Sequence, residues 1–198
     1  MTGTTRLLAL MACFAAPGAS AAQARKYDMK SGVVTFETVV TMGKTEVKRK
    51  SVVTFDDWGT REKRDSYAGA TLEETFLCDG KNQITIMPAR KEVYVVGQCS
   101  RGTELRFDWG EISDLDKKQG KARMLPPMTV AGKRCQAFEI KDARSTSRFA
   151  GFRRVTLYTE VASAGTRTVV RAVKFEENAP IPADALQVPA GYSTKKWP

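Results

Sequence analysis

Apolar and polar residues alternate along much of this chain, most clearly between Ser31 and Arg64. That stretch reads SGVVTFETVVTMGKTEVKRKSVVTFDDWGTREKR. Two runs rich in Val, Thr and Phe flank Gly43-Lys44. Glycine reaches positive φ without strain, so a two-residue turn fits there. The turn then fixes the register. Val40 faces Val47, Phe36 faces Ser51, Val34 faces Val53 and Gly32 faces Phe55. On the other face Glu37 meets Lys50 and Val39 meets Lys48. One face is mostly apolar and the other carries charge, the period-two signature of an antiparallel hairpin lying on a core.

The pattern continues in shorter pieces. Asp56-Asp57-Trp58-Gly59 reads as a tight turn. Thr60 to Tyr67 is a charged strand suited to a sheet edge or a solvent-washed face. Leu72 to Cys78 and Gln83 to Met87 form a second hairpin, with Leu77 opposite Ile84 and Thr75 opposite Ile86. Glu92 to Gly97 is a further strand. From Gln98 to Pro127 the alternation stops. Leu105 to Leu115 suits a short helix, with Leu105, Trp109, Ile112 and Leu115 broadly on one side, and the region is expected to form a lid over one sheet face. Pro126-Pro127 reads as a stop. Val130 to Ile140 resumes strand around Gly132, and Lys141 to Gly151 reads as a polar loop. A closing hairpin joins Val155–Val161 to Arg167–Phe175, pairing Val161 with Val169, Leu157 with Val173 and Val155 with Phe175. Pro182 opens one short helix through Leu186. The fold class expected is mainly β, an antiparallel sheet with a few short helices.

The N-terminus changes the setting. Residues 1–24 read as a secretory signal peptide: Arg6 is basic, Leu7 to Ala16 is apolar, and GASAAQA offers cleavage after Ala21 or Ala24. Leu10-Met11-Ala12-Cys13 also has the residue types of a lipid-modified cysteine site, but the run before Cys13 is very short. Nothing else is apolar enough to span a bilayer. Residues 25–198 are read as one secreted domain, a monomer.

Composition removes chemistry. There is no histidine, so the commonest general base and the commonest metal ligand are both missing. A Ser-His-Asp or Cys-His system is excluded. Asp56-Asp57 is turn chemistry, short of the six or more oxygens that calcium wants. No catalytic residue, metal or cofactor is indicated, and the chain is expected not to be an enzyme. The formal net charge is +10. That suits an anionic surface or an acidic envelope partner, unless it serves solubility alone. The basic clusters Lys48–Lys50 and Arg61–Arg64 alternate across strands and lack interleaved aromatics, so nucleic acid is not expected.

With Cys13 in the leader, Cys78, Cys99 and Cys135 remain, giving three possible pairings. Cys78–Cys99 is favoured, since both sit at strand ends on one side of a meander. Strands two apart lie about 9–10 Å from each other, beyond disulfide reach, so the loop at Gln98 must fold back.

The hairpins nominate a site. Val34, Phe36, Val40, Val53, Phe55, Leu157, Val173 and Phe175 form one apolar face. They pack as core or hold an apolar ligand. Thr38 pairs with Arg49 and Thr159 with Arg171 on the same expected face. An arginine in an apolar row is costly unless paired or wet. Arg49 and Arg171 are therefore candidates to meet an anionic headgroup, unless they reach water or pair with an acid.

Five segments in order carry a family likeness: YDMKSGVVTFETVV, FDDWGTREKR, DLDKKQGKARML, VAGKRCQAFEI and VKFEENAPIPADALQVPAGY. Together they resemble an uncharacterised family of bacterial secreted proteins with a LolA-like fold, in the wider superfamily of the lipoprotein carriers LolA and LolB. The resemblance covers nearly all of the chain after the leader. It implies an incomplete antiparallel β-barrel around a hydrophobic cavity, with short helices as a lid. It implies a periplasmic protein that binds a lipid, an acyl chain or another hydrophobic small molecule without chemistry. No functional residue carries over from it. Cys78 and Cys99 depart from the pattern, and a bond there would stiffen the cavity.

Overall fold

The computed structural model describes residues 25–99, 107–112 and 114–195. The expected leader lies outside them, as does the start of the expected helix. The chain builds one open sheet of twelve strands. Strands β1 (Gly32–Met42), β2 (Thr45–Asp56), β3 (Arg61–Ala68), β4 (Thr71–Cys78), β5 (Asn82–Met87) and β6 (Glu92–Gln98) form a meander. After a short helix α1 (Asp114–Lys118) come β7 (Ala122–Val130), β8 (Lys133–Lys141), β9 (Ser145–Phe152), β10 (Val155–Ser163), β11 (Thr166–Glu177) and β12 (Ser193–Lys195). The spatial order is β12-β6-β5-β4-β3-β2-β1-β11-β10-β9-β8-β7. All neighbours are antiparallel except β12, which runs parallel to β6. The incomplete antiparallel barrel implied by the resemblance is therefore the architecture observed.

The first hairpin has the register read from its turn: Val34 faces Val53, Phe36 faces Ser51 and Val40 faces Val47. The second does too, with Leu77 opposite Ile84 and Thr75 opposite Ile86. Three other expectations are corrected. The charged β3 is no edge, since it lies between β2 and β4. Lys141 to Gly151 is not a loop, because Ser145–Phe152 pairs on both sides as β9. Pro126-Pro127 does not stop a strand: β7 runs through both at a register shift against β8. Proline lacks an N–H to donate and is tolerated at bulges and on outer strands, and β7 is the last strand of the order.

Two apolar clusters hold the sheet. One joins Tyr27 and Met29 of the N-terminal strap to Val34, Phe36, Val53, Phe55, Leu157, Ala172 and Phe175. The strap is tied by its backbone, with the Lys26 and Tyr27 amides donating to the Trp58 carbonyl. Gly59 makes this possible. Its φ is +83°, and a Cβ there would meet the Tyr27 ring at 2.6 Å. The second cluster joins Leu77, Ile84, Ile86 and Val93 to Leu186, with Ile181 and Tyr192 beside it. The proline-rich ending is thus a cover for β4–β6. Ala185 N–H donates to the Pro182 carbonyl, closing a single turn where a short helix was expected.

Cys78 and Cys99 are joined, with Cα atoms 5.6 Å apart. The fold-back is real: Cys99 N–H donates to the Lys81 carbonyl, drawing the end of β6 across the β4–β5 turn. The bond spans a sequence separation of 21 residues. Loop-closure entropy over that length gives about 3 kcal/mol. Reduction, or Cys99→Ser, should lower the thermal midpoint by about 6–12 °C. Melts with and without reductant check this, and an unchanged midpoint would remove the bond from the account of stability. Cys135 is a buried free thiol whose pKa is raised by that burial, so it is held in its unreactive form.

Candidate functional site: a cavity inside the curled sheet

Register builds the site. Across the sheet, Arg49 faces Thr38, Thr38 faces Val170, Val170 faces Thr159 and Thr159 faces Phe149. Beside that row, Arg64 faces Val53 and Ser51 faces Phe36. Side chains of neighbouring strands in register share a face. Curling brings the two ends of these rows around one space. A cavity of about 400 Å³ is lined by Phe36 and Thr38 of β1, Ser51 and Val53 of β2 and Arg64 of β3. Phe149, Thr156, Tyr158, Thr159 and Val170 line the other side. Its wall is aromatic and aliphatic with hydroxyls between, and it includes one arginine, Arg64.

The middle segment covers part of the sheet beside this space. Phe138 stacks with Phe149, which lines the cavity, at 5.1 Å between ring centroids. Phe107 and Trp109 in turn lie 5.0 and 5.4 Å from Phe138. Gly151 makes room, since a Cβ there would fall 2.2 Å from the Phe107 ring. The expected helix over Leu105–Leu115 is instead a 3-10 turn at Trp109–Glu111 followed by α1, within the described residues.

The nominated residues divide. Phe36 and Val53 line the cavity. Val34, Phe55, Leu157 and Phe175 are buried in the adjoining core. Val40 is half-buried, farther along β1. Val173 is displaced from this face and 47% exposed. The reason is a bulge. Val34 faces Phe175, Thr35 faces Lys174, but Phe36 faces Ala172, so β11 carries one extra residue. The β10–β11 register also differs by one from that expected: Thr159 faces Val170 and Tyr158 faces Arg171. A one-residue slip moves every side chain to the other face. Arg171 accordingly sits in the row with Glu37 and Tyr158, away from Phe36 and Thr38. Arg49 keeps its row, but it is exposed and donates to Glu73 at 3.0 Å. The arginine in the cavity is Arg64. Carrying the register from β2 through the Asp57–Thr60 turn onto β3 would have found it.

Two buried carboxylates flank the architecture. Glu62 accepts from Lys26 Nζ at 2.5 Å and from the Tyr27 hydroxyl at 2.7 Å. Glu139 is fully buried and held by Arg148 Nε at 2.9 Å, Arg123 Nε at 3.0 Å and Lys141 Nζ at 3.4 Å. The hydrogen bond from Arg148, aided by Arg123 and Lys141, lowers its pKa from 4.5 to about 2. A depressed carboxylate stabilises the fold above its unfolded pKa. That stability is lost as pH falls from about 4.5 through about 2. Glu139→Gln should cost about 1–2 kcal/mol at neutral pH, since its cations are half-exposed and rehydrate. It should also flatten the acid limb of a denaturation-versus-pH curve. Parallel limbs for both proteins would show that Glu139 does not carry this pH dependence. Among the described residues no group of His, Cys, Asp or Glu could hold a metal.

No family model and no curated protein matches the sequence. Solved structures do match. A conserved protein of Thermus thermophilus aligns with TM-score 0.56 at 7% identity, over 85% of this chain and 91% of that one. MucB aligns with TM-score 0.51 at 14% identity, over 85% of this chain and 60% of its own. In the Pseudomonas aeruginosa MucA/MucB complex the alignment has TM-score 0.50 at 15% identity, over 81% and 56% of the two chains. The fold is an incomplete antiparallel half-barrel, shared with these structures. At these identities the likeness is one of fold, and this chain spans about 60% of the MucB chain. The curl of this sheet explains why residues from β1 to β3 and from β9 to β11 meet around a single space.

Proposed function

We propose that this LolA-like half-barrel is a periplasmic, non-enzymatic binding or carrier protein for a hydrophobic ligand, a lipid or acyl chain. It reaches its compartment through a signal peptide at residues 1–24. The observation that carries the reading is the cavity of about 400 Å³ between Phe36, Val53, Phe149 and Val170. That volume falls in the ~300–1,000 Å³ range of small-molecule sites. Burying a chain there gains about 25 cal/mol per Å² of apolar surface. Native mass spectrometry of protein purified from a periplasm, followed by organic extraction, tests it. A bound acyl species released on denaturation is the expected result. A clean apo mass with no uptake of a hydrophobic dye would sink it.

A second reading is an interaction module for an acidic envelope protein. It is favoured by the net charge of +10 and by a fold shared with MucB, which was crystallised with MucA. Capture of a partner that is lost near ~0.5 M salt, where screening shortens to a few Å, supports this reading.

A further inference from the structure

The sheet loses its cover toward one end. Next to the cavity row of Thr38 comes a row in which Val40 faces Val47 on β2 and Thr168 on β11, and Thr168 faces Val161 on β10. The last row before the turns pairs Met42 with Thr45 and with Thr166. Side chains two apart on a strand share a face, so Val40, Val47, Val161 and Met42 carry the apolar wall of Phe36 and Val170 outward. Exposure rises along that line. Phe36 is 2% exposed, Val47 38% and Met42 50%. Thr45 to Lys50 of β2 are exposed on both faces of the strand. The two turns at this end form one edge, since the Gly43 amide donates to the Gly165 carbonyl and ties the β1–β2 turn to the β10–β11 turn.

The same edge is basic. From Glu37 to Lys50 and from Glu160 to Arg171 the strands carry six cations and three carboxylates. Lys44 sits in the turn itself, and Lys48, Lys50 and Arg171 lie just behind it on the face turned away from the cavity. An apolar tip ringed by cations fits the surface of an anionic bilayer: the apolar side chains enter the acyl boundary while lysines and arginines stay among the headgroups. A protein partner fits less well. Two large apolar side chains at a protruding turn fall short of the ~800 Å² that each side of a stable complex buries. We infer that this edge docks on a membrane surface rich in anionic lipid, with Met42 and Val47 inserted and Lys44 and Lys48 on the headgroups. The inference goes beyond the carrier reading and gives the cavity a route, since the inserted lip leads into the cavity wall.

The test is flotation of the chain from residue 25 onward with vesicles of phosphatidylcholine alone and of equal parts phosphatidylcholine and phosphatidylglycerol. Binding to the anionic vesicles should be about 100-fold tighter, since each cation in excess is worth roughly fivefold at such a surface. It should weaken as salt rises. Met42→Thr with Val47→Thr should weaken it about tenfold or more. Lys44→Gln with Lys48→Gln should weaken it about 25-fold. All four positions are exposed, so both double variants fold. Val173→Thr, as exposed but far from the tip along β11, should bind like the unmodified protein. Vesicles left unbound, equal binding to both kinds, or binding that the tip variants leave intact overturns the inference. If vesicles are ignored and the tip variants lose a salt-labile capture of an acidic protein, the edge is a protein interface and the inference is wrong. Hydrophobic-dye uptake is read on the same proteins without vesicles. Uptake without docking overturns this inference alone, and docking without uptake overturns the carrier reading alone.

Discussion

Val170→Trp should abolish uptake of hydrophobic ligands, with at least about a hundredfold loss of affinity and a folded protein behind it. Val170 lies between Thr38 and Thr159 on the cavity wall. An indole there enters space that a ligand would occupy, and tryptophan is a good strand residue. Each methylene kept out removes about 0.8 kcal/mol, so four of them reach about 3 kcal/mol, more than a hundredfold. Val173→Thr is the control. Val173 is bulged out and 47% exposed, so uptake should not change. Dye displacement reads both variants. Full uptake by Val170→Trp would move the ligand out of this cavity. Loss in Val173→Thr would place it on the opposite face.

The second large effect concerns stability. Glu62→Gln should destabilise the protein by about 3–5 kcal/mol. The carboxylate is 4% exposed, and its partner Lys26 keeps only 10% of its side chain in water. Removing the acid leaves a largely buried ammonium without its carboxylate. The double replacement Lys26→Met with Glu62→Leu should recover most of the loss, since apolar pairs of similar volume often match a buried ion pair. Chemical denaturation of the four proteins completes the cycle. If Glu62→Gln costs under about 1 kcal/mol, Lys26 reaches water and the strap is held by its backbone and by the packing of Tyr27 and Met29.

The legible parts of this fold were those in which a turn and an alternation agreed. Gly43-Lys44 fixed β1 against β2, and Asp79 to Asn82 fixed β4 against β5, so both hairpins could be read residue by residue. The last hairpin could not. In β11 both Val169-Arg171-Val173 and Thr168-Val170-Ala172 alternate plausibly, and Phe175 belongs to either once a bulge is allowed. Simple period-two counting carries no sign of an extra residue, and so it places Arg171 on the wrong face. The edge reading of β3 fails for a different reason. Its charges look like solvent, yet Glu62 is neutralised by a lysine from the strap and Asp65 by its neighbour Lys63. Lys26 is a long-range partner, and periodicity does not see it. The cavity itself is a property of curvature. Phe149 and Arg64 sit at opposite ends of a six-strand row, and nothing local announces that they share a space.

The pairing of β1 with β11 has a consequence for how the molecule comes into being. Gly32 meets Glu177, residues near the two ends of the chain, and this pair joins the halves that carry the cavity walls. A chain leaves the ribosome N-terminus first. The β1–β6 meander can therefore settle by local contacts early, while β1 waits with one side open until β11 has appeared. Contacts of such long sequence separation close slowly, because the loop entropy must be met before they form. The chamber between the two halves is thus the last part to mature, and a chain whose β11 has not yet appeared has no chamber at all.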